Sequence, residues 1–412
     1  MRVWGVTGTN GKTTTAWVCA EFINADPAHR CGYVTTVEVD TGARRFCTGY
    51  TTPPLRQLRE IFAEMEANGC TDCVMEVSSH AIHQHRTGDT VFAGGAFTNL
   101  SEDHLDYHRT MAAYFDVKLD FARQIAAAHT ASPDMGRRDL PPYVVCLDGG
   151  YGIEMYNAVG NLAVNVIGVS RRRPGCGYDL SGLQLVGDYN RSNVLCAAAL
   201  AEAAGIPSAT IQATIPTLKP RWGRLERIEN PQVGARVYVD FAHTPDGLEQ
   251  MLSAVRAELA GAGSRLWVVF GAGGDRDPMK RPLMGAACAR TADRLVVTSD
   301  NPRSEDPMRI IEAILAGVAE ARGVALPDLL AGRCSGDFVH VEPDRRAAIE
   351  YALANAAAGD VVVVAGKGHE TAQEVKGVKH PFDDREIVRR YAACDTSARA
   401  VGQVAGSPAE EG

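Results

Sequence analysis

The chain has 412 residues, of which 45% are hydrophobic and 22% are charged, so it can form two or three domains with hydrophobic cores. Its formal net charge of -8 argues against a protein that coats nucleic acid, because binding to phosphates needs clustered Lys and Arg. The sequence has no apolar run of the roughly 18 residues that span a membrane, and its eleven scattered cysteines are typical of reduced thiols in a cytoplasmic protein.

The first half of the chain alternates short Val-rich runs with amphipathic segments, a pattern typical of parallel sheets covered by helices. The predicted strands lie at Arg2 to Thr7, Cys31 to Val37, Cys73 to Val77, Gly95 to Asn99, Tyr143 to Leu147 and Ala163 to Val169. Helices fit between most of them, and helical patterns also cover Asn190 to Ala204 and Pro207 to Ile215. Prolines and a glycine in Pro216 to Gly223 then interrupt the pattern, so we place a domain boundary there.

The alternation restarts beyond this break. The predicted strands of the second half lie at Val237 to Phe241, Leu266 to Phe270, Arg294 to Ser299, Phe338 to Val341 and Asp360 to Ala365. The sequence therefore predicts an α/β fold, with one domain at residues 1–219 and a Rossmann-like, doubly wound domain at residues 220–394. Residues 395–412 are small and polar, so we expect a disordered tail.

A glycine loop follows the first predicted strand, and a helical pattern begins near Thr13. Glycines let the backbone N–H groups point at phosphate oxygens, Lys12 supplies a positive charge, and Thr13 can hold Mg²⁺. The strict phosphate-loop pattern has Gly where this chain has Val6, so the loop is a variant, and a turn that binds nothing is the alternative. We predict a P-loop NTPase-like nucleotide site formed by Gly8, Thr9, Asn10, Gly11, Lys12, Thr13 and Thr14.

Acidic and imidazole side chains follow two other predicted strands. Glu76 ends a buried strand at the sheet edge where the phosphate loop emerges, and a carboxylate there can complete a Mg²⁺ shell. A buried glutamate satisfied by hydrogen bonds is the alternative. The acid-rich and His-rich run from Asn99 to His108 suggests a second metal site. His104 and His108 are spaced i, i+4 and also suggest zinc, but the Glu of the His-Glu-x-x-His signature is absent.

Seven motifs of this chain occur in one characteristic order. They are the runs Thr7 to Thr15, Glu76 to His80, Asp103 to His108, Asp240 to Asp246, Gly273 to Asp277, Asp300 to Arg303 and Gly366 to Glu370. In this set and order they resemble the Mur ligase family, and the resemblance spans both predicted domains. It implies an ATP-binding central domain, a C-terminal domain that binds an amino acid, and an enzyme of peptidoglycan precursor synthesis. Such an enzyme activates a carboxylate as an acyl phosphate and joins it to an amine.

The resemblance also implies roles for single residues at the phosphoryl-transfer site. Lys12 and Thr13 would bind the ATP phosphates and Mg²⁺, while Glu76 and His104 would hold two Mg²⁺ ions. Lys118 matches the family lysine that CO₂ converts to a metal-ligating carbamate, and an ordinary surface lysine is the alternative. The other expected nucleotide contacts are Asn190 and Asn193 at the adenine, Arg224 at a phosphate, and Asp240 and His243 at the ribose and phosphates.

For the substrates, the resemblance implies a diamino acid and a muramoyl-peptide acceptor, both small molecules. Asp300, Asn301 and Arg303 belong to the motif that the family uses for meso-diaminopimelate, and Arg303 would form a bidentate pair with its distal carboxylate. Gly366 and Glu370 would hold the distal amino group, and Arg281 would bind a carboxylate. The expected acceptor contacts are Thr51, Thr52, Ser79, Gln84 and Arg86.

The acceptor itself stays open, because the chain begins directly at the phosphate-loop strand and we expect the family's leading uridine-binding domain to be missing. One hypothesis is a diaminopimelate-adding ligase, and a second is a Mur-type ligase for a different, nucleotide-free acid in a specialised pathway. A third hypothesis is a catalytically silent nucleotide-binding subunit. It is disfavoured because the chain has all four catalytic candidates, Lys12, Glu76, His104 and Lys118. We expect a monomer whose two halves close about the boundary segment to complete the site.

Overall fold

The computed structural model describes residues 1–129, 139–172, 177–259, 261, 263–330 and 338–392. The strands of the first half are β1 (Arg2–Thr7), β2 (Cys31–Val34), β3 (Val39–Asp40), β4 (Arg45–Phe46), β5 (Asp72–Glu76), β6 (Phe92–Phe97), β7 (Pro142–Cys146) and β8 (Asn165–Val169). They form one sheet in the order β4-β3-β2-β5-β1-β6-β7-β8. The helices of this half are α1 (Lys12–Asn24), α2 (Leu55–Ala67), α3 (Ser79–His83), α4 (Leu105–His108), α5 (Met111–Ala128), α6 (Gly152–Val159), α7 (Asp188–Ala203) and α8 (Ser208–Thr214).

The position of β1 in this sheet determines where the site forms. Its residues from Val3 to Thr7 are all buried, as expected for an apolar central strand covered on both faces. It pairs in parallel with β5 and β6, which places Val6 opposite Glu76 and Thr7 opposite Phe97. The carboxyl ends of parallel strands meet at one edge, so the loops that leave β1, β5 and β6 lie together there.

Helices cover both faces of the first sheet. Trp17 of α1 and Leu195 of α7 belong to the core on one face, and Leu58 of α2 and Phe121 of α5 belong to the core on the other. The middle of α7 is rich in alanine, and its small side chains allow close packing against α1. The start of α1, which follows the phosphate loop, is therefore held between the sheet and α7.

The second half forms its own sheet. Its strands are β9 (Glu226–Ile228), β10 (Arg236–Asp240), β11 (Leu266–Phe270), β12 (Arg294–Val297), β13 (Val339–Val341) and β14 (Val361–Ala365), in the order β13-β12-β11-β14-β10-β9. All neighbours are parallel except β9 and β10. A separate hairpin comprises β15 (Ala372–Val375) and β16 (Val378–Pro381). The helices are α9 (Pro245–Arg256), α10 (Lys280–Thr291), α11 (Pro307–Arg322), α12 (Leu326–Leu330), α13 (Arg345–Asn355) and α14 (Asp384–Arg390).

The predicted α/β fold is confirmed, and the central predicted strands agree with the structure to within a few residues. The strand predicted from Cys31 to Val37 is too long, because β2 ends at Val34 and the chain turns there to form β3. The tail at 395–412 lies outside the described residues, and the boundary at Pro216 to Gly223 stays a prediction. Within the described part of the chain, no helix is long and apolar enough to cross a membrane.

The segment that joins the two halves packs against the loop after β14. Gly223 has φ 60°, and a Cβ there would lie 2.2 Å from the carbonyl carbon of Gly368, so no larger residue fits without displacing backbone. The next residue, Arg224, donates a hydrogen bond to the Thr13 hydroxyl at 3.1 Å. The joining segment thus brings a cation of the second half to the nucleotide loop of the first.

Candidate active site

The phosphate loop, Gly8 to Gly11, connects β1 to α1 and lies tightly against its neighbours. Gly8 and Gly11 have φ of 147° and 83°. A Cβ on Gly8 would lie 1.9 Å from Thr98 Oγ1, and a Cβ on Gly11 would lie 2.3 Å from Asn193 Oδ1. Both positions therefore require glycine, and the sequence prediction of a curled backbone loop at the start of a helix agrees with this geometry.

Lys12, the first residue of α1, lies over the loop. Its Nζ donates to the carbonyl oxygens of Gly8 and Thr9 at 3.0 and 2.7 Å. Burial lowers the pKa of Lys12, while the nearby carboxylates of Glu76 and Asp103 act in the opposite direction. The ammonium group is thus held at the rim of the loop, where an anionic ligand would meet it.

The Glu76 carboxylate lies beside Thr13 at the carboxyl edge of the sheet. It is 1% exposed and accepts hydrogen bonds from the Thr13 hydroxyl at 2.8 Å and from the Thr36 amide at 2.8 Å. The Thr36 hydroxyl also donates to it at 3.2 Å. The buried-glutamate alternative is therefore compatible with these bonds, but the same bonds place carboxylate and hydroxyl oxygens, the ligands that Mg²⁺ prefers, next to the phosphate loop.

Lys118 of α5 points into the same region from below the loop. Its side chain is 1% exposed, and its Nζ donates to Gly8 O at 2.8 Å and to Thr7 Oγ1 at 3.2 Å. Burial lowers the pKa of Lys118 well below its usual value, and the positive charge of Lys12 adds to this effect. The surface-lysine alternative is therefore wrong.

His104 precedes α4 and has a left-handed backbone, with φ 56°. Its ring lies 3.5 Å from the Asp103 carboxylate and 4.9 Å from the ring centre of His80, and loss of water around the ring lowers its pKa to about 4. His108 instead shares a 2.9 Å hydrogen bond with Ser79 and stacks on Tyr114. Among the described residues, no group of three His, Cys, Asp or Glu side chains is arranged to hold a metal.

A narrow pocket beside the phosphate loop lies between α1, α7 and the joining segment. Its walls include Thr14, Trp17, Asn190, Trp222 and Arg224. The two indole rings meet edge to face, with centroids 5.7 Å apart. Asn190 lines this pocket, and Asn193 Nδ2 donates to its side-chain oxygen at 3.3 Å; the adenine contacts of both residues stay predictions.

Two charges that the sequence pattern alone would have left in solvent lie partly or fully buried here: Asp240 is buried, and Arg224 is partly buried. Arg224 lies over the Phe241 ring, at 4.6 Å from its centroid, and burial lowers its pKa. Asp240 accepts hydrogen bonds from the amides of Leu225 and Ala242, both at 2.7 Å, and burial raises its pKa. His243 follows, with Nδ1 at 2.8 Å from the carbonyl oxygen of Phe241.

The motifs proposed for the amino acid come together at the carboxyl edge of the second sheet. Asn301 Nδ2 donates to Glu370 Oε2 at 2.9 Å, and a Cβ on Gly366 would lie 2.5 Å from Asp300 Oδ2. Arg303 is 22% exposed, donates to Gly274 O at 2.5 Å and lies 3.5 Å from the Glu374 carboxylate. Arg303 is therefore only partly buried and already has protein partners, so an amino acid that lacks the distal carboxylate would not leave it as a fully buried, unpaired charge.

Arg281 is less available than the sequence analysis assumed. Its two terminal nitrogens donate to the Glu305 carboxylate at 2.9 and 2.7 Å, and it is 5% exposed. Its Nε is buried without a hydrogen-bond partner in the described structure. A substrate carboxylate at Arg281 would therefore bind through Nε or displace Glu305.

The residues proposed for the acceptor cluster around the Glu76 strand. Thr52 is fully buried and donates to Glu76 O at 2.9 Å, and the Thr51 and Thr36 hydroxyl oxygens are hydrogen-bonded at 3.0 Å. Arg86 donates to Gln84 at 2.8 Å and reaches Thr52 O at 3.5 Å. Ser79, bound to His108, lies at the start of α3. Thr52 thus contacts the Glu76 backbone directly, and Thr51 is linked to the Glu76 carboxylate through Thr36.

An open cleft of about 540 Å³ lies between residues of the two halves. The first half contributes Glu102 and Asp106, and the second contributes Asp275, Arg276 and Met279. Motifs that are far apart in sequence therefore face each other across one space.

Several residues of the site were not assigned from the sequence. Thr36 binds Glu76, and Asp246 accepts from Asn10 Nδ2 at 3.2 Å, which links the second half to the phosphate loop. Lys367 and Arg345 are fully buried next to the amino-acid motifs. Asp246 and Lys367 lie inside motifs of the family, so the sequence could have indicated that they belong to the site. Thr36 and Arg345 lie outside these motifs, and nothing in the sequence indicates their role.

Arg345 supports the amino-acid motifs from within the core. Its guanidinium binds Asp384 at 2.9 and 2.7 Å and donates to Ala365 O at 2.9 Å and Ser299 O at 3.3 Å. Ser299 and Ala365 immediately precede the two amino-acid motifs. The arginine thereby holds both segments at a fixed separation.

We expect Arg345→Met to lower the free energy of unfolding by about 3–5 kcal/mol, because it leaves the Asp384 carboxylate buried without its partner. Denaturant unfolding followed by circular dichroism measures the change. Arg346→Met is the matched control: that side chain is 58% exposed and reaches only Glu350 at 3.9 Å, so its effect should stay below about 1 kcal/mol. Equal effects of the two substitutions would contradict the assigned role.

The fold and site together define an α/β enzyme that uses a nucleoside triphosphate, with a second doubly wound unit facing the phosphate loop. Comparison with known families agrees with this class. The Mur ligase middle domain matches residues 6–133, and the glutamate ligase domain of Mur ligases matches residues 223–368.

Individual relatives give the same result over nearly the whole chain. The UDP-N-acetylmuramoyl-L-alanyl-D-glutamate--2,6-diaminopimelate ligase of Ralstonia nicotianae is 39% identical over 407 residues, covering 94% of this chain and 75% of the relative. The ligase of the same name from Thermosynechococcus vestitus is 40% identical over 403 residues, covering 93% and 75%. The chain belongs to the Mur ligase family and is an ATP-dependent ligase that forms a carbon–nitrogen bond.

Solved structures agree as well. One UDP-N-acetylmuramoyl-L-alanyl-D-glutamate--2,6-diaminopimelate ligase superposes with a TM-score of 0.58 at 32% identity, covering 94% of this chain and 77% of that one. A pseudomurein peptide ligase type C from Methanothermus fervidus gives a TM-score of 0.59 at 16% identity over 89% of this chain and 76% of that one, which supports the fold alone.

Proposed function

We propose that this ligase joins meso-diaminopimelate to a carboxylate of UDP-N-acetylmuramoyl-L-alanyl-D-glutamate, a step of peptidoglycan precursor synthesis. The observation that carries the proposal is the bond between Asn301 and Glu370, which unites two motifs 69 residues apart into one pocket edge. Arg303 and Glu370 then offer a cation and an anion to the distal end of a diamino acid, which carries a carboxylate and an ammonium group. The name shared by the similar ligases supports the same pair of substrates.

We propose Mg²⁺ as the metal, held by Thr13 and Glu76, with His104 and Lys118 contributing to a second ion. The fit rests on the Thr13 hydroxyl and the Glu76 carboxylate, which lie 2.8 Å apart next to the loop. Hard oxygen ligands of this kind select Mg²⁺ over softer metals. When bound, the ions neutralise charge on the phosphates and the acceptor carboxylate.

The reaction that these parts support proceeds in two steps. The γ-phosphoryl group of ATP passes to the acceptor carboxylate, which releases ADP and gives an acyl phosphate; the amine then attacks the acyl carbon and phosphate leaves. Lys12 and the loop amides stabilise negative charge on the transferred group. Arg224 and Asp246 bring the second half of the chain to the phosphate loop, so closure can exclude water from the acyl phosphate.

Phosphate release tests this function. We expect release to require ATP, the acceptor and meso-diaminopimelate together, with a product mass equal to acceptor plus amino acid minus water. Release with an acceptor that lacks UDP, at an equal kcat/KM, would replace the proposed acceptor by a nucleotide-free acid. Release that needs neither acceptor nor amino acid would remove the ligase assignment of this site.

Arg303 should determine the preference for meso-diaminopimelate over L-lysine, which lacks the distal carboxylate. A hydrogen bond to a charged group contributes about 1.5–3 kcal/mol, and partial exposure places Arg303 at the lower end, so we expect a preference of about tenfold from this contact. Arg303→Ala should lose that preference in kcat/KM, while Arg309→Ala, on the exposed surface of α11, should retain it. A folded Arg303→Ala enzyme that discriminates normally would refute the role.

A further inference from the structure

Lys367 is the most deeply buried charged side chain of the Gly366 to Glu370 motif. None of it is exposed, and its Nζ donates to Asn301 Oδ1 at 3.1 Å and to Glu370 Oε2 at 2.8 Å. A buried ammonium group is stable only when it is paired and hydrogen-bonded. The two partners of Lys367 are the same two residues that form the edge of the amino-acid site.

These bonds determine how Asn301 is oriented. Its Oδ1 accepts from Lys367 and, at 2.9 Å, from the amide of Glu374, while its Nδ2 donates to Glu370. A lysine ammonium can only donate, so the oxygen of Asn301 must face Lys367 and its NH₂ group must face Glu370. The orientation is therefore fixed by chemistry and cannot be reversed by a rotation of the amide.

Glu370 is consequently asymmetric. Its Oε2 takes both hydrogen bonds, from Lys367 and Asn301, and within the described part of the chain no hydrogen bond reaches its Oε1. The Glu370 side chain is 34% exposed, whereas that of Lys367 is not exposed at all. One carboxylate oxygen is thus anchored to the protein, and the other accepts no hydrogen bond from the described residues.

The backbone around Lys367 is held equally firmly. Gly366 and Gly368 have φ of 111° and 52°. A Cβ on Gly366 would lie 2.5 Å from Asp300 Oδ2, and a Cβ on Gly368 would lie 2.7 Å from Phe241 Cβ. The backbone on both sides of Lys367 is therefore held in close contact with its neighbours, and the side chain is fixed by its bonds to Asn301 and Glu370.

We propose that Lys367 is a positioning residue of the amino-acid site, which anchors one oxygen of Glu370 and orients Asn301 so that Glu370 Oε1 receives the distal ammonium group of the incoming diamino acid. The inference rests on the proposed function. It adds to that function a residue that acts from behind the pocket, through Glu370, without touching the substrate.

The test compares meso-diaminopimelate with 2-aminopimelate, which has both carboxylates but lacks the distal amino group. In Lys367→Met we expect KM for meso-diaminopimelate to rise at least about tenfold, and the preference over 2-aminopimelate to fall by a similar factor. KM for ATP should stay within about twofold, because the nucleotide contacts are unchanged. Lys219→Met, at an exposed position of the joining segment, is the control and should behave as the unmodified enzyme.

A double substitution tests whether Lys367 acts through Glu370. The preference lost in Glu370→Gln should not fall further when Lys367→Met is added, because one interaction cannot be removed twice. If Lys367→Met fails to fold, Lys367→Gln can replace it, because glutamine keeps an NH₂ donor without the charge. We expect Lys367→Gln to lower the preference for meso-diaminopimelate in the same direction, but by a smaller factor. The inference is overturned if either variant keeps the normal preference for meso-diaminopimelate over 2-aminopimelate. It is also overturned if kcat/KM falls by the same factor with every substrate. If the unmodified enzyme does not use meso-diaminopimelate at all, the proposed function fails first.

Discussion

Lys12→Ala is expected to lower kcat by a factor on the order of 10²–10³ while the protein stays folded. The Lys12 ammonium group lies at the rim of the phosphate loop and donates only to the carbonyl oxygens of Gly8 and Thr9, so its removal leaves the buried core intact. The developing negative charge on the transferred phosphoryl group would lose its nearest fixed cation. Single-turnover phosphate release, with thermal unfolding as the check on folding, measures both expectations.

Lys12→Arg provides a useful comparison, because it keeps the charge and changes the shape of the donor group. A point charge on a flexible stem fits the space over Gly8 better than a planar guanidinium group does, so we expect partial activity only. Lys219→Ala, at an exposed position of the joining segment, should retain full activity. Near-normal turnover in folded Lys12→Ala would rule out the phosphate-loop assignment.

The phosphate loop could be predicted from the sequence because its signals are local. They are a buried strand, glycines at Gly8 and Gly11 and a helix that begins directly after the loop, and all of them lie within one short stretch of sequence. The same holds for the central strands, whose Val-rich runs are buried on both faces. The hairpin at Ala372 to Pro381 escaped prediction because its strands are short and partly or fully exposed, and half of their residues are polar, so they lack a buried apolar face.

The surroundings of the site residues could not be predicted, because they depend on contacts between distant segments. Lys118 is buried only because α5 carries it beneath Gly8, 110 residues away in sequence. Arg224 and Asp240 would be solvated charges in an isolated segment, but the joining segment packs them under the nucleotide loop. Lys367 stands between two glycines, a context that indicates an exposed loop, and its burial arises from Asn301 and Glu370.

Lys118 is also the residue for which burial has the clearest chemical consequence. Carbamate formation needs the neutral amine, which attacks CO₂ and releases a proton to give a carboxylate on nitrogen. Because burial and Lys12 lower the pKa of Lys118, the neutral form is available at a lower pH than for a surface lysine. As pH falls through the lowered pKa, the amine is protonated and the carbamate is lost.

We therefore expect Lys118→Ala to lose activity on the order of 10²-fold, as for removal of a group that supports a metal site, and to regain part of it when acetate or formate is added. The added acid would supply the carboxylate oxygens that the carbamate normally provides. Unmodified enzyme should lose activity reversibly when CO₂ and bicarbonate are removed, and this loss should grow as pH is lowered. Lys219→Ala should show the same dependence on CO₂ as the unmodified enzyme, and no rescue by acetate.

The alternative for Lys118 is a purely structural amine that donates to Gly8 O and Thr7 Oγ1 and thereby holds the phosphate loop. That role would make Lys118→Ala inactive too, but it predicts no rescue by carboxylates and no effect of CO₂, since neither restores a hydrogen-bond donor. A lowered thermal midpoint with unrescued activity would favour this structural role. Rescue by acetate, together with an unchanged midpoint, would leave the carbamate as the explanation, because only an anionic oxygen ligand is then missing from the alanine variant.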